Sequence, residues 1–405
     1  MRTVAVVGAS LAGLSVARSL RKQGYDGRLV VIGAERHRPY DRPPLSKEFL
    51  AGEIDETALT LEADGEDLGA EWVLGATAVG LDSADRSVLL ADGRSVRADG
   101  IVVATGAAAR TLPGSDGLAG VHVLRTVDDA IALREDLARG GRLVVIGGGF
   151  IGAEVASTAY ALGLEVTVVE AAPTPLAGPL GAAMGGVVSS LHLDHGVGLL
   201  CGVGVRGLIG GLGAPPGGSR GSVEAVLLED GRSLPADVVV VGVGVRPCVE
   251  WLEGSGIALE NGVRCDADGS TNVPGVVAVG DCAAWYDPAV GAHRRVEHWT
   301  GARERPAAAV AALLSGGTAT PEPLRPPYFW SDQYGVRIQF AGYAADADSV
   351  TVEEGAAADR SFLAVYRSAG RPVAVLGMNQ PRLFTRWRKQ LSQHHTSSSS
   401  ARSAL

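Results

Sequence analysis

The chain has 405 residues, more than one ordinary hydrophobic core accommodates, so two or three domains are expected. With 46% hydrophobic and 20% charged residues it has the balance of a globular protein, and a formal charge of −9 argues against general nucleic-acid binding. No apolar stretch approaches a membrane span or has a signal-peptide layout, so a cytoplasmic location is expected, and the four cysteines (Cys201, Cys248, Cys265, Cys282) form no dithiol or metal-ligand spacing.

The apolar run Thr3-Val-Ala-Val-Val7 reads as a buried strand, followed by Gly8-Ala-Ser10-Leu-Ala12-Gly13 and a helix to about Gln23. Gly8 and Gly13 take the first and third positions of the G-x-G-x-x-G dinucleotide fingerprint. Ser10 takes the middle one, where a hydroxyl can donate to a phosphate. The next apolar run, Arg28-Leu-Val-Val-Ile32, leads to Glu35, near the distance at which a carboxylate meets a ribose. Glu35 reads either as that acceptor or as a solvated loop acid, and the upstream fingerprint favours the ribose.

Arg38-Pro-Tyr-Asp-Arg42-Pro-Pro-Leu-Ser46-Lys47 is a loop stiffened by three prolines, with Ser46 placed to cap a short helix. Lys22, Lys47 and Lys389 are the only lysines among 36 basic residues. That scarcity marks Lys47 as a candidate pre-positioned cation; a proline-rich surface turn with a solvated lysine is the competing reading. Short strands and turns over 71–97 predict a small antiparallel excursion. A buried strand then returns at Gly100-Ile-Val-Val-Ala-Thr105-Gly106, and Leu124-Arg125-Thr126 precedes an acid-rich helix over 127–138.

Val144-Val-Ile-Gly147-Gly-Gly149-Phe150-Ile151-Gly152-Ala-Glu154 is a complete second fingerprint, with strand, glycine turn and helix start in place. Eighteen residues past Gly152, the run Val166-Thr-Val-Val ends in Glu170, positioned as a ribose acceptor. A second antiparallel segment is expected over 202–234, with a flexible loop at 213–219. The run Asp237-Val-Val-Val-Val241 closes the inserted unit before Gly242-Val-Gly244. Val276-Val-Ala-Val-Gly280-Asp281 is another buried strand that ends in a carboxylate, where open α/β sheets bind ligands. A helix is expected from about Val296 to Leu314, a linker over 316–327, then an antiparallel sheet and a basic helix-like end with Arg382, Arg386, Arg388 and Lys389.

The expected fold is α/β, with two nested Rossmann-like dinucleotide-binding domains and a C-terminal α+β domain with an antiparallel sheet. Boundaries fall at 1–108 and 243–318 for the outer domain, 109–242 for the inserted one, 319–391 for the third, and 392–405 for a disordered serine-rich tail.

Arg42-Pro-Pro-Leu-Ser-Lys47, Leu124-Arg-Thr126, the stretch Gly147 to Glu154, Gly280-Asp-Cys282 and Phe329-Trp-Ser-Asp-Gln333 together resemble the oxygenase-coupled NADH-dependent ferredoxin reductases. The resemblance implies FAD in the outer fold and NADH in the inserted one. It implies FAD contacts from Gly8, Ala12, Gly13, Lys47, Val79, Arg125, Asp281 and Trp299, a set that extends to Ser10, Glu35, Arg42, Thr105, Gly106, Gly280 and Trp330. The NAD set is Gly147, Gly149, Phe150, Ile151, Gly152, Glu154, Glu170 and Gly244. Where the family often has an acid after Gly33, this chain has Ala34, so the ribose contact shifts to Glu35 or is lost. Lys47 paired with Glu154 is the expected catalytic constellation; a carboxylate merely favoured by the helix N-terminus is the plainer account of Glu154. The implied acceptor is an acidic, transiently bound two-iron two-sulfur ferredoxin feeding an oxygenase of haem-thiolate or Rieske type. A basic excess after Gly291 (Arg294, Arg295, Arg303, Arg305, Arg386, Arg388, Lys389) either steers it or is a scatter of solvated arginines. Reduction of rubredoxin, quinone or oxygen on the same scaffold, and a low-turnover NADH-responsive sensor, stay open at this level.

Overall fold

The first glycine turn sits on a sheet that is buried on both faces, as its unbroken Val/Ile runs require of a parallel sheet. The structure, a computed structural model, describes residues 1–115, 117–210, 220–288, 290–317 and 325–402. Five parallel strands lie in the order Val276–Ala278, Gly100–Val103, Thr3–Val7, Arg28–Ile32, Ala70–Val73. Ala70–Val73 joins this sheet as a half-exposed edge and leaves only 78–97 as the expected antiparallel excursion, a three-stranded sheet.

The second sheet repeats the plan. Its order is Val121–His122, Val238–Val241, Arg142–Ile146, Glu165–Glu170, Gly198–Cys201, again parallel throughout. The glycine-turn strand is central in both sheets, and each is followed by its helix, Leu11–Lys22 or Phe150–Ala161. The chain leaves the first sheet after Gly100–Val103 and re-enters it at Val276–Ala278, so the second unit is nested within the first. A two-stranded antiparallel ribbon, Ala107–Ala109 with Val245–Pro247, ties the outgoing and returning segments together. An antiparallel hairpin sheet occupies the region expected over 202–234, while its loop at 211–219 lies outside the described residues.

The third unit is a five-stranded antiparallel sheet in the order Tyr328–Gln333, Val336–Gly342, Arg371–Met378, Ser361–Ser368, Ser349–Ala356. One face packs Ile338, Phe340, Phe362 and Leu376 on Leu180, Met184, Val188 and Leu191 of the kinked helix Ala177–Asp194. The other packs Leu363, Val365 and Val375 on Phe384 and Leu391 of the final helix. That helix runs Pro381–Arg402, so 392–402 of the tail expected to be unstructured is helical, and 403–405 lie outside the described residues. Phe384 and Leu391 anchor the helix on the sheet, and propagation from a formed nucleus is inexpensive even through serine. The helix expected to reach Leu314 is broken into Trp299–Glu304 and Pro306–Ser315, because Pro306 has no N–H to continue the ladder. The linker boundary expected at 318/319 lies outside the described residues. Among the described residues, no helix is long and apolar enough to cross a membrane.

Candidate functional site

The carboxyl ends of both parallel sheets face one cavity of about 1470 Å³, with a third wall from Phe329 and Trp330 of the antiparallel sheet. That volume exceeds the roughly 300–1,000 Å³ of ordinary small-molecule sites. The wall takes in every residue named above for the two cofactors except Gly13, Gly147 and Glu170. Gly8 and Gly147 shape the turns from behind: φ is +124° and +105°, and an added Cβ would stand 2.0 Å from Ala104 O and 2.3 Å from Gly242 O. Gly13 is excluded from the wall by its close packing on the turn, since a Cβ there would meet Gly8 O at 1.9 Å. Gly149 faces open space, with nothing within 4 Å of an added Cβ. Ser10 makes no side-chain cap bond to its own helix. These are the cradles two dinucleotides require, and the residues present fit them.

On the outer side a chain of ionic and polar contacts fixes the wall. Arg42 Nη2 donates to Glu35 Oε1 at 2.6 Å, and the Tyr40 hydroxyl donates to Glu35 Oε2 at 2.5 Å. Both Glu35 oxygens therefore already have partners within the protein. Arg42 Nη1 donates to the Arg125 carbonyl, and Arg125 Nη2 donates to Asp281 Oδ2 at 2.6 Å. Arg125 precedes Thr126, whose hydroxyl forms a capping box with Asp129 and starts the helix Val127–Leu137. Trp299 Nε1 donates to Asp41 Oδ1 at 2.7 Å, and burial raises the Asp41 carboxyl above its usual range. The Thr105 hydroxyl donates to Cys248 O at 2.6 Å and pins the returning segment to the outgoing one.

The proline loop and the inserted helix meet at the back of the cavity. Lys47 Nζ donates to Glu154 Oε2 at 2.6 Å, and Glu154 is 2% exposed. Ser46 does not cap the short 3₁₀ turn Pro43–Ser46. Its hydroxyl donates instead to the same Glu154 oxygen, and its carbonyl accepts from Thr158 Oγ1 at 2.8 Å. The strand Tyr328–Gln333 runs alongside the helix Phe150–Ala161: Phe329 packs on Phe150 (centroids 4.5 Å apart), Ser331 Oγ donates to Glu154 Oε1 at 2.7 Å, and Ser157 Oγ accepts from Tyr334 N at 2.7 Å. Two strand residues advance about 6.6 Å and four helix residues about 6 Å, so the first two of these contacts stay in step, and Tyr334 belongs to the turn after the strand.

Glu170 lies beside the second glycine turn rather than in the cavity wall, where its carboxylate accepts from Gly148 N and Ala172 N, both at 2.8 Å. Phe329 belongs to an aromatic cluster with Phe150, Phe340 and His298, and it also lines the cavity. His298 joins the wall unforeseen; burial pushes its imidazole down to about 4, and Nδ1 has no hydrogen-bond partner. In the sequence Ser46 stood only as a helix cap and Ser331 and Gln333 only as members of the Phe329–Gln333 motif, while His298 carried no signal of its own. Tyr40 did carry one, because it lies between two prolines in the stiff loop. Of the basic residues named above for this region, Arg294 is held by Asp346, Arg295 by Glu297 and the Asp281 carbonyl, and Arg305 sits over Trp285. Arg303, Arg386 and Lys389 are exposed. Arg303 lies over Trp299, Arg337 over Trp330 and Arg388 over Tyr328, with the cations 5.2, 5.7 and 4.1 Å from the ring centroids.

Comparison with known proteins bears on this arrangement. Residues 2–306 match the pyridine nucleotide-disulphide oxidoreductase family model, and residues 328–404 match the reductase C-terminal model. The chain is 36% identical over 384 residues to the ferredoxin–NAD(+) reductase subunit of a benzene 1,2-dioxygenase system from Pseudomonas putida, covering 94% of this chain and 90% of that one. It is 35% identical to rhodocoxin reductase of Rhodococcus erythropolis, covering 96% and 89%. Among solved structures it is similar to the putidaredoxin reductase in a covalent complex with putidaredoxin, at a TM-score of 0.90, 32% identity, and 97% and 93% coverage.

Proposed function

The chain belongs to the pyridine nucleotide-disulphide oxidoreductase family, as an oxygenase-coupled ferredoxin reductase, and from that premise we propose how its residues take electrons from NADH and pass them to an iron–sulfur ferredoxin. The cofactors are FAD and NADH. FAD, when bound, supplies the conversion of a two-electron hydride donor into one-electron steps. Gly8, Ser10 and the start of the helix Leu11–Lys22 hold its pyrophosphate, and Asp281 and Arg125 hold the ribitol side. Gly149, Phe150 and Ile151 receive the NADH pyrophosphate. Lys47 holds positive charge where negative charge accumulates on reduction, while Glu154 orients both that ammonium and the nicotinamide amide. Glu170, with no arginine in Ala171-Ala-Pro-Thr174, selects against a 2′-phosphate.

The observation that carries this reading is the buried Lys47–Glu154 pair in a wall shared by two glycine turns. The four cysteines are free, and Cys282, next to Asp281, is pushed up to about 11 by burial, which disfavours a thiolate route. The support for a one-electron iron–sulfur protein as acceptor, with an oxygenase downstream, comes from the relatives that are ferredoxin–NAD(+) reductase components of dioxygenase systems. Anaerobic mixing with NADH is expected to bleach the flavin, and a two-iron two-sulfur ferredoxin is then reduced one electron at a time. Rapid bleaching without reduction of any ferredoxin in a panel, but with fast reoxidation by quinone or oxygen, would overturn the assignment of the acceptor.

A further inference from the structure

Glu154 is served by two different parts of the molecule. Oε2 accepts from Lys47 Nζ and Ser46 Oγ of the proline loop. Oε1 accepts from Ser331 Oγ at 2.7 Å and from the Asp332 backbone N–H at 3.3 Å, both on the first strand of the third unit. Ser331 is 0% exposed and Gln333 1%, and Gln333 Nε2 stands 3.0 Å from Ser331 Oγ. A carboxylate only accepts and a hydroxyl has one proton to give, so Ser331 donates to Glu154 and must accept from Gln333. That order fixes the Gln333 amide with its nitrogen toward Ser331. The other end of the amide, Oε1, is buried with no hydrogen-bond partner. An orphaned amide oxygen is destabilising, so the Gln333 conformation serves its nitrogen end.

We propose that Ser331, oriented by Gln333, is a positioning residue for Glu154. It holds Oε1 toward the third unit and thereby keeps Oε2 on Lys47, whose side chain lines the cavity. The inference rests on the role given above to Lys47 and Glu154 and extends it: the antiparallel sheet sets the charge that the cofactor cavity feels. With the Ser331 proton gone, Oε1 keeps only the long backbone bond. More of the carboxylate charge then falls on Lys47, which offers less positive field to the cavity.

The test uses the FAD holoprotein in the wild-type, Ser331→Ala, Ser331→Thr and Glu154→Gln forms. Its readouts are the midpoint potential of the bound flavin by anaerobic dye titration, and kcat and KM for NADH with ferricyanide. Ser331→Ala is expected to shift the potential to a more negative value and to lower kcat about 10-fold, with KM for NADH changed less than about threefold. Ser331→Thr, which keeps the hydroxyl, restores the potential and brings kcat to within about twofold. If the alanine protein does not retain FAD, Ser331→Cys, close in size and a weak donor, carries the same comparison with threonine. A wild-type potential in Ser331→Ala, or a threonine protein that behaves as the alanine one does, overturns the proposal, because Ser331 would then be interdomain packing alone. If Glu154→Gln changes neither potential nor kcat, the reading of Glu154 fails and this inference with it. If Glu154→Gln is impaired and Ser331→Ala is not, this inference alone fails.

Discussion

Lys47 is one of three lysines in the chain, and its ammonium is bound to a carboxylate that is 3% exposed. Breaking such a pair from one side leaves an uncompensated buried charge and costs about 3–5 kcal/mol, whereas neutralising both partners costs far less. Lys47→Ala should therefore lower both the melting temperature and the rate of NADH-dependent flavin bleaching, the rate by about 10- to 100-fold. Adding Glu154→Gln should recover most of the melting temperature and none of the rate. Recovery of both in stopped-flow and thermal-melt measurements would reduce the pair to a structural contact. Lys47 was legible in the sequence because rarity and a rigid loop singled it out. Ser331 was not, since a serine directly after a tryptophan has no chemistry until a helix is laid beside it. Glu170 offers a second test at this scale. Its carboxylate is fixed by Gly148 N and Ala172 N next to the glycine turn. A 2′-phosphate there meets a fixed negative charge, so kcat/KM for NADPH should be at least about 100-fold below that for NADH. Glu170→Ala with Ala171→Arg should narrow the gap, and comparable efficiencies in the unaltered protein would remove Glu170 as the selector.

At the scale of elements, the tight turn Gln333-Tyr334-Gly335-Val336 shows what register adds to sequence. Tyr334 has φ +53° and Gly335 +74°, the left-handed pair of a two-residue hairpin. A tyrosine bears that strain because its ring is captured by the inserted unit. The hydroxyl meets His192 Nδ1 at 2.7 Å, and His195 stacks on the ring at 4.4 Å. His192 is 1% exposed, and burial pushes its imidazole down to about 4, with the neighbouring His195 adding to the effect. The folded value lies below the unfolded value of about 6.5, so the unfolded chain binds more protons between the two. Stability is thus fully present above about pH 6.5 and falls as pH drops toward 4, by up to about 3 kcal/mol from this group. His192→Gln should flatten that part of the melting-temperature profile, and an unchanged slope would show that another group carries it. Continuous apolar runs such as Arg28–Ile32 and Arg142–Ile146 made the strands flanking both glycine turns legible. The edge strand Ala70–Val73 was not legible as parallel, because one half-exposed face gives it the look of a hairpin.

For the molecule as a whole, a net charge of −9 would repel an acidic ferredoxin unless the docking face departs from the average. The sequence located a basic excess after Gly291, but the fold divides it. Arg294 and Arg295 are neutralised by Asp346 and Glu297, while Arg303 and Arg388 lie over Trp299 and Tyr328. Those rings converge on Trp330, which stacks on Tyr328 at 6.0 Å, meets Trp299 edge-on at 5.9 Å and lines the cofactor cavity. This joins surface cations to the cavity through contiguous aromatic contacts, an arrangement no linear stretch could disclose because its members come from the segments around 299, 330 and 388. If an acidic ferredoxin docks here, attraction acts mainly on the encounter, so kcat/KM for ferredoxin should fall several-fold as ionic strength rises from about 0.02 to 0.5 M. Arg303→Glu with Arg388→Glu should lower the low-salt value by about 10-fold and flatten the salt dependence, since two attractive charges become repulsive. The rate of flavin bleaching by NADH, read in the same protein, separates a docking defect from a damaged cofactor site. A double variant that keeps the wild-type salt slope would place the docking face elsewhere, and bleaching slowed in proportion would mean that these arginines support the cavity rather than the partner.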